Sequence, residues 1–236
     1  PEQALSPVSA RAFFDTKKIQ ELIDVSREPP EIKFGHTFSY TKFQPSWVYV
    51  VGADISQGVG GDFQAAVVLG RKGLTVEDVA YIYTNDLKVK SYAFYTSELC
   101  KEYNSPLLGA EANSMGLSYL QELQELNYPH LYFRDEKMQK LGWFTDSKNR
   151  EMMLFELAEA LADGLLNIRY KPLLLQLLEF HRLEGRTGKI EFRSVGKHDD
   201  LVMALAIANQ MIKDKKPTIG TFKPVLVEVR TGGMYR

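Results

Sequence analysis

Three carboxylates, Asp54, Glu111 and Asp200, stand where side chains can do chemistry. Asp54 ends an apolar, β-branched run at residues 47–54 and is followed by Ile55-Ser56-Gln57-Gly58-Val59-Gly60-Gly61-Asp62. An acid at the point where a core strand meets solvent is held firmly yet reachable, which suits a metal ligand or a general base. Gly58, Gly60 and Gly61 let the chain turn close to whatever binds there. The same residues also suit a plain hairpin with Asp54 capping its turn. Glu111 closes a second short apolar run, 106–111, ahead of Ala112-Asn113-Ser114-Met115-Gly116 and a helix. Strand C-termini are where open α/β sheets hold ligands, although a glutamate at that place also simply complements a helix dipole. Asp200 lies in Lys197-His198-Asp199-Asp200, which opens a helix continuing Leu201-Val202-Met203-Ala204-Leu205-Ala206. Asp199 is the expected cap. Asp200 is one turn before Ala204, so if the small residues pack on a sheet, Asp200 points at the strand ends. Taken alone, the pair is two solvated acids at a helix start.

Together the three sites gain weight, because their order is compatible with convergence at one rim, with Asp62 and Asp199 beside them. Five carboxylates crowded together raise one another's pKa unless a cation neutralises them. Oxygen-only ligands, with four histidines and the single Cys100 in the whole chain, favour Mg²⁺ or Mn²⁺ over zinc. Two such ions ~4 Å apart activate a water and steady the leaving oxygen of a phosphodiester. The predicted chemistry is metal-dependent phosphoryl hydrolysis at this cluster of acids.

The elements that must position these acids follow from periodicity. Residues 1–45 combine an amphipathic stretch at 13–25 with Pro29-Pro30 and a turn-rich run to Pro45, and read as a lead-in or linker. Apolar runs at 47–54, 63–70 and 79–84, the last two separated by Arg71-Lys72-Gly73, predict an antiparallel meander. Tyr92, Tyr95, Leu99 and Tyr103 then recur at helical spacing. A strand at 106–111, a helix at 117–126 and a short run at 130–133 follow, so parallel neighbours joined by helical crossovers are expected. Helices are predicted at 147–163, stopped by Gly164, at 172–180, with Pro172 in its first turn, and at 199–213. A hairpin is predicted at 183–193 around Gly185 and Gly188. The expected fold is α/β, a mixed five-stranded sheet flanked by helices, with the domain at 46–214 and a tail at 215–236.

The 236 residues are 44% hydrophobic and 25% charged, enough for one domain with a buried core and too apolar for a disordered chain. No run approaches the roughly 20 apolar residues of a membrane-spanning helix, so no membrane partner is expected. One cysteine excludes a disulfide framework and a cysteine-rich zinc site, and fits a reducing compartment. The 29 basic and 30 acidic side chains sum to −1, yet they are segregated. Lys137, Lys140, Lys148 and Arg150 face only Asp146 within 137–150. Arg182, Arg186, Lys189, Arg193 and Lys197 outnumber Glu184 and Glu191 within 182–197. Lys137, Lys140, Lys148, Arg150, Arg186, Lys189, Arg193 and Lys197 are the predicted phosphate contacts to DNA. Such runs also serve as ordinary solvated faces.

A meander followed by helix and strand in alternation, with acids on the first strand, the fourth strand and the last helix, resembles the ribonuclease H-like nuclease and integrase fold. Within it, GADISQGVGGDFQAAVV, AEANSMG, GWFTDSKNR and HDDLVMALAIA resemble the C-terminal nuclease domain of the large terminase subunit of tailed bacteriophages, over about residues 47–211. The resemblance implies an endonuclease that cuts concatemeric double-stranded viral DNA at the start and end of packaging, with Mg²⁺ or Mn²⁺. It implies the terminase ATPase domain, the portal protein and the small terminase subunit as partners, in the host cytoplasm. Asp54, Glu111 and Asp200 match the family's metal-binding acids, Asp62 matches an accessory acid, and Asp199 precedes the third. The phosphate loop GxxxxGK[ST] of the packaging ATPase is not in this sequence, so translocation is not assigned to it. With Pro1 at its start, the chain reads as the nuclease domain alone. A junction-resolving nuclease of the same fold, an actin-like kinase, and a non-catalytic DNA or portal docking domain are the competing readings.

Overall fold

The computed structural model describes residues 9–57, 61–135, 137–184, 190–196 and 198–214. The chain begins with β1 (Ser9–Ala12) and α1 (Thr16–Val25), whose N-terminal amides of Lys17 and Lys18 donate to the Asp15 side chain at 3.0 and 3.1 Å. Two three-residue strands follow, β2 (Glu31–Lys33) and β3 (Thr37–Ser39), then the meander β4 (Val48–Asp54), β5 (Gln64–Lys72) and β6 (Thr75–Thr84). Helix α2 (Val89–Glu102), β7 (Leu107–Ala110) and α3 (Ser114–Glu125) form the crossover. The chain closes with α4 (Ser147–Ala162), β8 (Leu166–Asn167), α5 (Lys171–Glu179), β9 (Phe180–Glu184), β10 (Ile190–Ser194) and α6 (Asp200–Asp214).

The main sheet runs β2-β3-β6-β5-β4-β7, with β8 pairing β6. It is mixed: β4 is antiparallel to β5 and parallel to β7, and β8 is parallel to β6. An apolar strand without alternation has to be covered on both faces, and β4 is. Val50 shares one buried cluster with α4, α5 and α6, whereas Val51 and Ala53 share the other with α2 and α3. Helix α6 is buried all round from Leu201 to Ala208, as a helix that is apolar on every side must be.

Seven strands replace the five expected. The run at 130–133 does not extend into a strand; it makes two isolated bridges, Leu131 parallel with Leu108 and Phe133 antiparallel with Leu141. The sheet instead gains β8 and the β2–β3 hairpin, so residues 31–39 of the expected lead-in are part of the sheet. Strands of three residues are too short to show a period of two in sequence. The predicted hairpin is present as β9 and β10, and β1 adds to it as a third antiparallel strand. Its turn, including Gly185 and Gly188, lies outside the described residues, as does the 215–236 tail.

A buried acid ties the back of the sheet. The fully buried Asp78 of β6 accepts from Tyr81 Oη at 2.6 Å, from the Arg169 and Tyr170 amides at 2.7 and 3.0 Å, and from Arg169 Nε at 2.9 Å. Its full set of donors marks it as structural, in contrast to the acids below.

Candidate metal centre

Backbone register brings Asp54 and Glu111 together. Ala53 of β4 is paired with Ala110 of β7 in parallel register, and the Glu111 amide donates to the Ala53 carbonyl at 3.2 Å. Both chains therefore leave the sheet at the same edge, each one residue later, with an acid at the exit. Glu111 is steadied by its neighbour: Asn113 Nδ2 donates to Glu111 Oε2 at 3.1 Å, while Asn113 Oδ1 accepts the Gly116 amide at 2.8 Å and caps α3. Asn113→Ala removes both contacts, and loss of the cap is expected to lower stability by about 1 kcal/mol in chemical denaturation.

Helix α6 brings the third acid. A Cβ on Gly52 would collide with the Ala204 carbonyl oxygen and the Ala208 amide, so the helix lies directly against β4, two residues before Asp54. This is the close approach that the small residues of α6 predict. Asp200, one turn ahead of Ala204, comes to the end of β4. Its side chain is 14% exposed, and Oδ2 is buried without a hydrogen-bond partner. His198 Nδ1 stands 3.6 Å from that oxygen.

The acids share one electrostatic field. Burial is the largest influence on Asp54, and the charges of Glu111, Asp200 and Asp199 add to it, against the opposing Arg150 guanidinium; the carboxyl is pushed up to about 8. Burial also leads at Asp200. A hydrogen bond from its own backbone opposes the rise, Asp199 and Asp62 reinforce it, and the group is pushed up to about 7. Asp62 is exposed, in a turn held by Ser56 Oγ donating to the Asp62 carbonyl at 2.6 Å. Asp199 is paired with Arg150 of α4, Nη2 to Oδ2 3.4 Å. Among the described residues no three carboxylate or imidazole groups yet stand close enough to enclose an ion. The donor set nevertheless fits a hard divalent cation: oxygen ligands only, mutual repulsion that a cation would relieve, and a buried carboxylate oxygen with no partner.

The basic residues divide. Arg150 reaches the cluster itself and also donates to the Phe192 carbonyl of β10 at 3.4 Å. Arg193 is exposed on β10, with Glu191 at 3.7 Å. Lys137 and Lys140 are exposed on the stretch that returns to pair Trp143 with Glu111, and Lys148 is exposed in the first turn of α4. Arg186, Lys189 and Lys197, with Gly58 and Gly60, lie outside the described residues. Two contributors were not singled out from sequence. Phe63 stacks on Tyr83 at 4.4 Å and meets the His198 ring edge-on at 4.9 Å. Gln176 bonds both Tyr83 and the first turn of α6. The lone amide within the apolar run Leu173-Leu174-Leu175-Gln176-Leu177-Leu178 is the signal that marks it.

A mixed sheet opened by a meander, crossed by helices on both faces and carrying acids at the exits of β4 and β7 and the start of α6, defines the ribonuclease H-like fold. Solved structures similar to this chain include large terminases of phages and their nuclease domains. The large terminase nuclease of thermophilic phage G20c with bound magnesium superposes with a TM-score of 0.65 at 20% identity, covering 81% of this chain and 96% of that one. The nuclease domain of Thermus phage P74-26 gives 0.59 at 20% identity, over 80% and 93%. The HK97 bacteriophage large terminase gives 0.54 at 11% identity, covering 86% of this chain but 44% of that one. G20c structures also carry cobalt and zinc. No protein-family model matches the chain, and no curated protein matches it. No helix among the described residues is long and apolar enough to cross a membrane.

Proposed function

We propose that this chain is the metal-dependent endonuclease domain of a tailed-phage large terminase, cutting double-stranded DNA concatemers during genome packaging. The observation that carries the reading is the buried Asp200 Oδ2, which has no hydrogen-bond partner, in one field with Asp54 at the end of β4. A buried acid without a partner is costly to fold around unless a cation completes it. Asp54, Glu111 and Asp200 would hold Mg²⁺ or Mn²⁺, as a two-ion site, with Asp62 and Asp199 at its margin. The chemistry supplied by such ions is activation of water and stabilisation of the leaving oxygen of a phosphodiester.

The protein's own residues do the rest. The exits of β4 and β7 fix two acids on rigid backbone, so little reorganisation accompanies binding. Arg150 offsets the negative charge of the cluster and sits between it and β10. Arg193, Lys137, Lys140 and Lys148, with Arg186, Lys189 and Lys197, would meet phosphates without reading bases. The packaging ATPase, the portal protein and the small terminase subunit are the partners this role requires, in the host cytoplasm.

Supercoiled plasmid, linear duplex and a four-way junction, each incubated with the protein and Mg²⁺, Mn²⁺ or EDTA, test this reading. Metal-dependent cutting of plasmid and linear duplex is expected. Cutting confined to the junction would turn the assignment to a resolving nuclease, and no cutting with any metal would leave a docking domain. Binding of duplex DNA measured by fluorescence anisotropy should weaken steeply with salt, and Arg193→Ala should reduce the slope of log K against log[salt] by about 1.

A further inference from the structure

The first turn of α6, which carries Asp200, is held from outside the helix. The leading amides of any helix have no partner within it, and the Asp199 side chain is paired with Arg150. The Leu201 amide donates instead to Gln176 Oε1 of α5, at 3.0 Å in a buried setting. Gln176 is 7% exposed and is the only polar member of the buried face that α5 forms with Leu173, Leu174 and Leu177. A buried amide has to satisfy both of its ends. Gln176 does so, because Nε2 donates to Tyr83 Oη at 3.0 Å.

Tyr83 closes the connection from the other side. Its ring stacks on Phe63, the Phe63 ring meets the edge of His198, and His198 Nδ1 stands 3.6 Å from Asp200 Oδ2. The backbone beside Asp200 is thus tied through Gln176, and its carboxylate is approached through His198 and Phe63. Both routes meet on one tyrosine of β6. These contacts link α5, β6, the segment at Phe63 and the loop before α6, so groups from separate elements brace the start of α6 around Asp200. Such arrangements matter most where a ligand must be held within a fraction of an ångström.

We infer that Gln176 and Tyr83 are positioning residues for Asp200, aligning its carboxylate for a divalent cation. The inference rests on the reading of Asp200 as a metal ligand given above. Gln176→Met keeps the side-chain length but loses both hydrogen bonds. Calorimetric titration with Mn²⁺ should show its dissociation constant raised about tenfold, as for other groups that orient metal ligands. Tyr83→Phe, which removes only the acceptor for Nε2, should shift it in the same direction by less. The double variant should bind about as well as Gln176→Met alone, since both changes cut one connection. Gln176→Glu keeps an acceptor for the Leu201 amide and should restore tight binding. A merely structural role would lower the fraction of protein that binds, read as stoichiometry, and leave the dissociation constant of the remainder unchanged. Wild-type affinity in Gln176→Met, or equal weakness in Gln176→Met and Gln176→Glu, would overturn the inference while leaving the metal site standing. If Gln176→Met does not fold, an unshifted dissociation constant in Tyr83→Phe overturns it alone. Failure of the wild-type protein to take up Mn²⁺ would remove the metal reading, and this inference with it.

Discussion

Asp54→Asn and Asp200→Asn should each reduce metal-dependent cleavage of duplex DNA by at least about a hundredfold, about 2.7 kcal/mol of transition-state stabilisation. The substitution keeps shape and removes one negative charge, so it isolates the ability to hold a cation. Asp54 is fixed by β4, and Asp200 by a helix pressed against Gly52 of that same strand, so each acid holds a set position in the cluster. DNA affinity should change little in either variant, because the predicted phosphate contacts are basic side chains and both acids keep their shape as amides. The two variants should also be more stable than the wild type without metal near pH 8, since each removes a charge that burial and neighbouring acids disfavour. Equal cleavage by wild type and both variants would remove these acids from the mechanism. Lower stability in both would contradict the electrostatic account of the cluster.

The second large effect is a loss of stability with rising pH that divalent metal opposes. Asp54 rises from 3.8 to about 8 on folding and Asp200 from 3.8 to about 7. A carboxyl whose folded value is raised binds its proton more tightly in the native state. The stability this contributes is fully present below about pH 4 and is lost as pH climbs through 7 and 8. Over the two groups the loss is on the order of several kcal/mol. Divalent metal should oppose it, because a cation stabilises the same ionised carboxylates whose repulsion causes the loss. Thermal melts at pH 5 and pH 8, with and without millimolar Mg²⁺, should show little effect of the ion at pH 5 and a clear rise in Tm at pH 8. In Asp54→Asn the decline without metal should be shallower. A Tm shift by Mg²⁺ that is the same at both pH values would point to binding elsewhere.

The elements that carry the site were legible in the sequence because each had a strong local signal. The unbroken apolar run of β4 requires cover on two faces, and the run of small residues after Asp200 requires close packing, which Gly52 receives. The acids stand out because each adjoins such a signal. What escaped lacked one. Strands β2 and β3 have three residues each, and β8 has two, so they exist only through pairing with β6 or each other. The run at 130–133 has strand composition but gains only isolated bridges, from Leu131 to Leu108 and from Phe133 to Leu141. Arg150 reads as one base among several, and only the fold brings it to Asp199 and Phe192. The same holds for Gln176, whose two partners lie 93 and 25 residues away. Interactions of that span are set by topology, which local periodicity does not encode.

Crystals soaked in Mn²⁺, with the ion located by its anomalous scattering, test the central claim most directly. The expected result is anomalous density bounded by the carboxylates of Asp54, Glu111 and Asp200, with Asp200 Oδ2, now without a partner, among the ligands. Density found only at other sites, or none while these three acids satisfy one another through bound protons, would contradict it.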